Sequence, residues 1–446
     1  MQNRSFSRSQ SRLTPVSEKT RLRANSELAA DIAHYLETFA SPAYVIDVLG
    51  ELELRKRAQV FGYLPLARQA ELVETMPMPA LSVLLGAMPA DERADLVNHL
   101  DAGPRERLLP ALAQAEREDV LKLCGYPEGT AGALMTSDYS WLPMHLTAAQ
   151  AIDRLREQAG EAETIYQNYV LDAERRLLGT LSLRQLILAP SVQVLEAFMV
   201  TPALHAQVDT PAEAVAQLIR DYDLLALPVL DGDGRLVGII TCDDAMDVMA
   251  EQATEDFHKG ASITQHIGNI KNATVGLLYR KRVFWLVLLV FGNLFSGAGI
   301  AAFEDVIASN VVLVFFLPLL VDSGGNAGAQ SATLMVRALA TGEVMLRDWA
   351  RLLGRECLVA LALGCTMAVA VSSLGVLRGG WDMALIVASS MLVIVLLGSV
   401  IGMSLPFAFN RLRLDPATAS GPLITSIADA AGVLIYFGIA SLVLEL

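Results

Sequence analysis

Residues 421–444 read GPLITSIADAAGVLIYFGIASLVL, an apolar run long enough to cross a bilayer, with one carboxylate, Asp429, inside it. An ionised side chain in hydrocarbon is costly, so such residues face a bundle interior or a watery path and are functional by default. Pro422, Thr425, Asp429, Gly432 and Tyr436 step by three, four, three and four, which places them on one helix face. Leu423, Ile427, Val433 and Leu434 point elsewhere, toward lipid or packing. A hydroxyl, a carboxylate and a glycine that bares its carbonyl form an oxygen set suited to a hard cation. The alternative is a structural acid paired with a neighbouring helix.

The 446 residues change character near residue 275. Before it, charged and apolar residues mix as in soluble elements; after it come runs of membrane length. Four precede the last one: about Phe284–Ala302, Val306–Leu320, Leu353–Leu377 and Met383–Phe409. The second is short unless its helix continues through Gly324, Gly325 and Gly328. Arg280, Lys281 and Arg282, then Arg347, Arg351 and Arg355, then Arg411 and Arg413 mark one side. Glu304 with Asp305, and Arg378 with Asp382, mark the other. The positive-inside rule puts the amino-terminal half in the cytoplasm and the C-terminus outside. Residues 1–26 are rich in Ser and Arg without an apolar core, so they read as a disordered basic tail, not a cleavable signal.

Residues 27–260 hold 17 Lys and Arg against 37 Asp and Glu, a net charge of −20. Such a region repels nucleic acid and concentrates cations. The four Cys form no C-x-x-C pair and the six His show no zinc spacing, which argues against a soft-metal site. No nucleophile–base set or phosphate-cradling loop appears, so an enzyme is not expected.

Residues 27–125 read as short amphipathic helices, among them Ala58–Gly62, Ala70–Met76, Ala80–Met88 and Ala94–Leu100, punctuated about every dozen residues. That pattern fits a superhelix of stacked repeats. Asp91 and Asp95 form an i, i+4 pair within it.

Residues 134–257 hold an internal repeat with a period near sixty. Met135 recurs as Met199, the helix start at Thr147 recurs at Thr210, and Leu178-Gly179-Thr180-Leu181 recurs as Val237-Gly238-Ile239-Ile240. Each copy reads as helix, strand, Gly-turn, strand, helix, with a hairpin signal at Asp231-Gly-Asp-Gly234. This resembles a tandem CBS pair, a module that often binds adenosine nucleotides. The ribose motif of such modules is met in the second copy by Gly238, Thr241 and Asp244. In the first, Gly179 and Ser182 fit, but Gln185 replaces the acid. One nucleotide site, with ATP as candidate ligand, is therefore expected; a dimerisation platform without nucleotide is the alternative.

From Asp243 to about Ser262 one helix leads toward the membrane. Asp247, Glu251 and Glu255 repeat at i, i+4 beside Asp244 and Asp256, so like charges repel along a face. A divalent cation bridging carboxylates relieves that repulsion.

Residues 318–337 read PLLVDSGGNAGAQSATLMVR. Asp322, Asn326, Gln330, Thr333 and Arg337 form a second polar stripe, and the glycines allow close backbone approach or a local break that lines a cavity. With this motif, residues 415–432 (DPATASGPLITSIADAAG), the helical amino-terminal domain and the CBS pair, the chain resembles the MgtE family of magnesium transporters and channels from residue 27 onward.

The resemblance implies a multidomain chain. After the tail come an all-α helical superhelix N domain (27–130), an α+β tandem CBS pair (131–195 and 196–257), a connecting helix (243–275) and an all-α transmembrane domain of five helices (276–446). It implies a homodimeric Mg2+-selective channel in the inner membrane, in which paired Asp429 residues hold partly hydrated Mg2+ with Thr425, Gly432, Asn326 and Asp322 nearby. It also implies closure by cytosolic Mg2+ at Asp91, Asp95, Asp244, Asp247, Glu255 and Asp256, to which the spacing adds Glu251. Gln252 stands where relatives carry an acid, and Asp244 is claimed by both the Mg2+ and the nucleotide readings. The competing functions are a Na+- or H+-coupled divalent cation carrier and a membrane-anchored nucleotide sensor.

Overall fold

The computed structural model describes residues 28–37, 41–263 and 273–445. The basic tail and residues 264–272 of the expected connecting segment lie outside the described residues. Contacts divide the chain into two units that meet between Met249 and Ala250.

The first unit begins with α1 (Ala29–Glu37), α2 (Pro42–Gly50), α3 (Leu54–Gly62), α4 (Leu66–Thr75), α5 (Met78–Gly86), α6 (Ala90–His99), α7 (Ala102–Leu108) and α8 (Gln114–Leu123). Helices pack against the one after next, as α1 on α3, α2 on α4, α3 on α5, α4 on α6 and α6 on α8, which produces the superhelix. Leu49, Phe61, Leu72, Leu85 and Leu96 form its dry interior. A polar device recurs with the dozen-residue period. Arg57 donates to Leu52 O at 2.9 Å, Gln69 to Leu64 O at 2.7 Å and Arg93 to Met88 O at 2.8 Å. Each reaches back five residues to a carbonyl just past a helix end, where no helical N–H is available to it.

The same unit continues through α9 (Ala131–Leu134) into β1 (Tyr139–Pro143), α10 (Ala148–Gln158), β2 (Thr164–Leu171), β3 (Leu177–Ser182) and α11 (Leu183–Leu188). The second copy is β4 (Ala206–Gln207), α12 (Ala212–Asp221), β5 (Ala226–Leu230), β6 (Leu236–Thr241) and α13 (Cys242–Gly260). Each three-stranded sheet pairs its first strand parallel and its last antiparallel to the middle one. The leading strand in each copy departs from the expected helix–strand–turn–strand–helix order. It is only two residues long in the second copy, too short to leave a period in the sequence.

The two copies complete each other. Thr136 exchanges backbone hydrogen bonds with Ile239, and Val200 does so with Thr180. The recurring Met and Gly residues meet across the copies. A methyl added to Gly238 would lie 2.6 Å from Met135 Sδ, and one on Gly179 would lie 2.9 Å from Met199 Sδ. These glycines are therefore room for the other copy's methionine.

The second unit contains α14 (Val275–Ala302), α15 (Glu304–Ser309), α16 (Val312–Ala340), α17 (Trp349–Arg411) and α18 (Gly421–Leu444), as well as the end of α13. Among the described residues, four helices are long and apolar enough to cross a membrane: α14, α16, α17 and α18. Helix α17 turns back on itself at Gly380, whose φ is 81° and ψ −165°. Its arms run antiparallel, since a methyl on Gly375 would lie 2.6 Å from Ala384 Cα and one on Gly364 3.0 Å from Leu392 Cδ1. Each arm carries one expected apolar run, 353–377 or 383–409. The second run differs from expectation: it starts at Val312 and continues through the glycines to Ala340, while Val306 belongs to the short α15.

Those glycines make no break; they make a crossing. Gly324 and Gly328 of α16 press on Gly398 and Gly402 of α17, so close that a methyl on Gly328 would lie 2.7 Å from Gly398 O. Without a hydrophobic drive between helices in lipid, such small-residue contact is what van der Waals packing and association rest on. Phe316, Leu320, Met391, Ile394, Tyr436 and Phe437 fill the space beside the crossing. The phenol of Tyr436 is satisfied by donating to Leu313 O at 2.9 Å.

A methyl on Gly402 would overlap Gly328 O, whereas nothing lies within 4 Å of one on Gly438. Gly402→Ala should therefore cost about 1–3 kcal/mol by overpacking. Thermal unfolding of the detergent-solubilised chain should show a clear loss for Gly402→Ala and none for Gly438→Ala.

Candidate functional site

Helix α18 begins after Ser420, with Pro422 in its first turn, where a missing N–H costs nothing. Thr425 and Asp429 follow on one face, and α16 meets that face with a residue that has no side chain. A methyl on Gly325 would lie 2.8 Å from Thr425 Cγ2 and 3.4 Å from Asp429 Oδ1. Asp429 is half-buried, and its Oδ1 is buried without a hydrogen-bond partner. The Thr425 hydroxyl donates to Gly421 O at 2.9 Å, which leaves its lone pairs directed outward. Gly432 is buried, and a methyl there would meet Ile394 and Val321 at ordinary contact, 3.6 and 3.7 Å. Packing does not require that glycine.

Across the groove, Asp322 Oδ2 accepts from Asn326 Nδ2 at 2.9 Å. Asp322, Asn326, Gln330, Thr333 and Arg337 are all exposed on α16, so the polar stripe is an open face of a single chain. Asp322 is close enough that its charge opposes that of Asp429. Two carboxylates, an amide and a hydroxyl thus border one groove, all oxygen donors a hydrated hard cation accepts.

The other candidate acids lie outside the membrane-type helices. Asp91, Glu92 and Asp95 occupy α6, the first two in its opening turn. Burial, then the charge of Glu163, raises the Asp91 carboxyl to about 7. Burial and the charges of Asp91, Glu163, Asp244 and Asp95 raise Glu92 to about 8. Asp95 still reaches solvent, yet desolvation followed by Asp244 and Glu128 raises it to about 6. Burial and Asp91 raise Asp244 to about 7. Asp91 Oδ1 and Glu92 Oε2 are buried without hydrogen-bond partners. Every charge that shifts these groups is negative.

The structure therefore brings Asp91, Asp95 and Asp244 together, and adds Glu92 and Glu163 to them. Glu92 had a signal in the sequence, its place beside Asp91 in a first turn. Glu163 had none, because only the fold of the first CBS copy carries it there. Asp247 and Glu251 are exposed on α13. Glu255 accepts from Lys259 at 2.7 Å, and Asp256 is half-buried. Among the described residues, no group of three His, Cys, Asp or Glu is arranged to hold a metal without further help.

At the candidate nucleotide positions, Thr241 Oγ1 donates to Asp244 Oδ2 at 2.6 Å. Gly238 is tied to Met135, so only its backbone remains for a ligand. In the first copy Gln185 Oε1 accepts from Ser182 N at 2.8 Å and from Ser182 Oγ at 3.0 Å. That capping box consumes the position where an acid would meet a ribose.

Comparison with known proteins places these features in a family. Residues 317–439 match the model of the MgtE divalent cation transporter, residues 28–129 that of the MgtE intracellular N domain, and residues 195–251 that of the CBS domain. The chain is 41% identical to the magnesium transporter MgtE of Thermus thermophilus over 334 residues, 74% of this chain and 73% of that one. It is 37% identical to the magnesium transporter MgtE of Bacillus subtilis over 329 residues, covering 73% of this chain and 72% of that one. Among solved structures, it resembles the cytosolic domain of the Mg2+ channel MgtE in complex with ATP, at 35% identity and a TM-score of 0.50. That match covers 51% of this chain and 93% of the other. Its relatives are transporters, not enzymes, and its apolar helices suit a multi-pass membrane protein. The chain belongs to the MgtE family of magnesium transporters.

Proposed function

We propose that the chain works as a homodimeric, Mg2+-selective channel for Mg2+ uptake across the inner membrane, with its amino-terminal half cytoplasmic and its C-terminus outside. The observation that carries this reading is the Asp429 carboxylate, unpartnered at Oδ1 and set against Gly325 beside an exposed polar stripe. A polar face of this kind cannot be left to lipid. A two-fold axis alongside it supplies a second Asp429, and the pair encloses a water-filled path. Mg2+ sheds water reluctantly, so a few carboxylates gripping a hydrated ion suit conduction better than a dry cage. Thr425, Asn326, Asp322 and the Gly432 carbonyl contact the hydration shell.

The cytosolic acids serve as the sensor. Asp91, Asp95 and Asp244 repel one another when ionised, and Asp247, Glu251, Glu255 and Asp256 extend the charge along α13. Mg2+ relieves the repulsion in the arrangement that closes the path, completing its ligand set with water. A ligand that favours one state tenfold shifts that equilibrium by about 1.4 kcal/mol per independent site, so several such sites make a steep switch. ATP binds the second CBS copy at Gly238, Thr241 and Asp244, a reading supported by the ATP complex of the related cytosolic domain. Asp244 makes the two ligands interdependent.

Replacing Asp429 with Ala should abolish Mg2+ flux into proteoliposomes while leaving the chain folded. Undiminished flux would overturn the pore assignment, and a strict need for a Na+ or proton gradient would favour a coupled carrier. Neutralising Asp247 together with Glu255 should leave patch currents flowing at cytosolic Mg2+ levels that close the unmodified channel.

The raised carboxyls fix a pH dependence. The folded chain keeps protons on Asp91, Glu92, Asp95 and Asp244 that the unfolded chain has already lost near pH 4. Their favourable contribution is complete below that pH and is lost as pH rises through 6 to 8. Without divalent cations, the thermal midpoint should fall by several degrees between pH 5 and pH 8.5. Millimolar Mg2+ should blunt the fall, and calorimetry in buffers of different ionisation enthalpy should show proton release on Mg2+ binding.

A further inference from the structure

The two ends of the α17 hairpin lie side by side, where Trp349 Nε1 of the first arm donates to Ser404 Oγ of the second at 3.3 Å. Both ends mix exposed arginine with exposed apolar side chains. At the start, Arg347 and Arg351 flank Trp349, with Met345 and Leu346 just before them. At the finish, Arg411, Leu412, Arg413 and Leu414 are all exposed. Among the described residues, none of these four arginines is in an ion pair. The flanking acids are engaged elsewhere: Asp348 Oδ2 accepts from Met345 N at 2.9 Å, and Asp415 Oδ2 from Lys259 Nζ at 2.6 Å.

The backbone holds one of these arginines against its own preference. Arg413 takes the left-handed position that ends α17, with φ 59°; its N–H donates to Asn410 O at 3.0 Å, and Leu414 N donates to Phe409 O at 2.9 Å. Glycine is the usual residue there, because a Cβ in that conformation costs about 1–2 kcal/mol. The residue after such a turn commonly packs back on the helix, yet Leu414 is left exposed. Each arm of α17 carries an apolar run of membrane length, so both ends reach one interface, the level at which indole rings such as that of Trp349 settle.

We propose that the paired ends of α17 form a binding site for an anionic phospholipid, with the four arginines on its phosphate-bearing headgroup and the apolar side chains between them against its acyl chains. A soluble anion answers only the charge, and water answers neither half of the surface. A phospholipid meets both: its phosphate accepts guanidinium N–H groups in pairs, and its chains cover exposed leucine and tryptophan. Arginine stems bury along such apolar surface while the charged heads stay at headgroup level. The site needs only a bilayer around α17, whichever ion the chain carries and by whatever mechanism.

The test uses the full chain in detergent, titrated with phosphatidylglycerol or phosphatidylcholine and read by native mass spectrometry. Phosphatidylglycerol should stay bound under conditions that strip phosphatidylcholine. One arginine near an anionic headgroup is worth about fivefold in binding, so the fourfold variant Arg347→Gln, Arg351→Gln, Arg411→Gln, Arg413→Gln should weaken retention at least about twentyfold. Arg378→Gln, beside the turn at the opposite end of the hairpin, should leave it unchanged. Arg413→Gly alone should lose about fivefold while its thermal midpoint holds or rises, because glycine removes the charge and the backbone strain together. That variant separates lost binding from lost folding. Equal retention of the two lipids, unchanged retention in the fourfold variant and in Arg413→Gly, or an equal loss in Arg378→Gln would each overturn the site. Two other occupants are distinguished in the same titration. If inorganic phosphate at matched concentration displaces phosphatidylglycerol, the arginines serve a soluble anion. If the fourfold variant alters the mass of the assembly instead of its lipid count, they serve a second copy of the chain. Either result overturns the proposal.

Discussion

A carboxylate in a helix long and apolar enough to cross a membrane tolerates few surroundings, and Asp429 sets that constraint for the residues near it. The helix beside it must come close without filling the space, which is met by Gly325. The next helix must then pack on a backbone stripped of side chains, which the contacts of Gly324 with Gly398 and of Gly328 with Gly402 achieve. Bulk is displaced to one side of the crossing, where Phe316, Tyr436 and Phe437 close the core. The polar stripe of α16 is left to the other side. One charged residue thus divides α16 into an apolar half that holds the unit together and a polar half turned away from it.

Much of this was legible because membrane sequence carries two strong signals. Apolar length located the helices, and three–four spacing located the polar faces of α16 and α18. The glycines were readable as a class but not in role. Close approach and a local break leave the same sequence trace, and only the Gly398 and Gly402 partners distinguish them. The merged length of α17 with its turn at Gly380, and the transfer of Val306 to α15, depend on where a chain reverses. A composition profile blurs that by several residues.

In the amino-terminal half, the dozen-residue period and the sixty-residue repeat came from the sequence, while the pairing of acids came only from the fold. Asp91 and Asp95 were visible as helix neighbours. That Asp244, some 150 residues later, faces them is a tertiary fact, and Glu163 had no local mark at all. The polar donors Arg57, Gln69 and Arg93 were hidden for a different reason. Their period matches that of the core, and an Arg or Gln in an amphipathic repeat reads as a solvated face until its carbonyl acceptor is known.

The exchange between the CBS copies has a consequence for synthesis. Met135 and Thr136 find their places only against Gly238 and Ile239, roughly a hundred residues downstream. At ordinary elongation rates a ribosome takes about 5–20 s to supply those residues. During that interval Met135 lacks its glycine socket and Thr136 its strand partner, while the apolar helices that follow are still to be made. The two copies therefore complete this pairing only once β6 has been made, however early the rest of the first copy has folded.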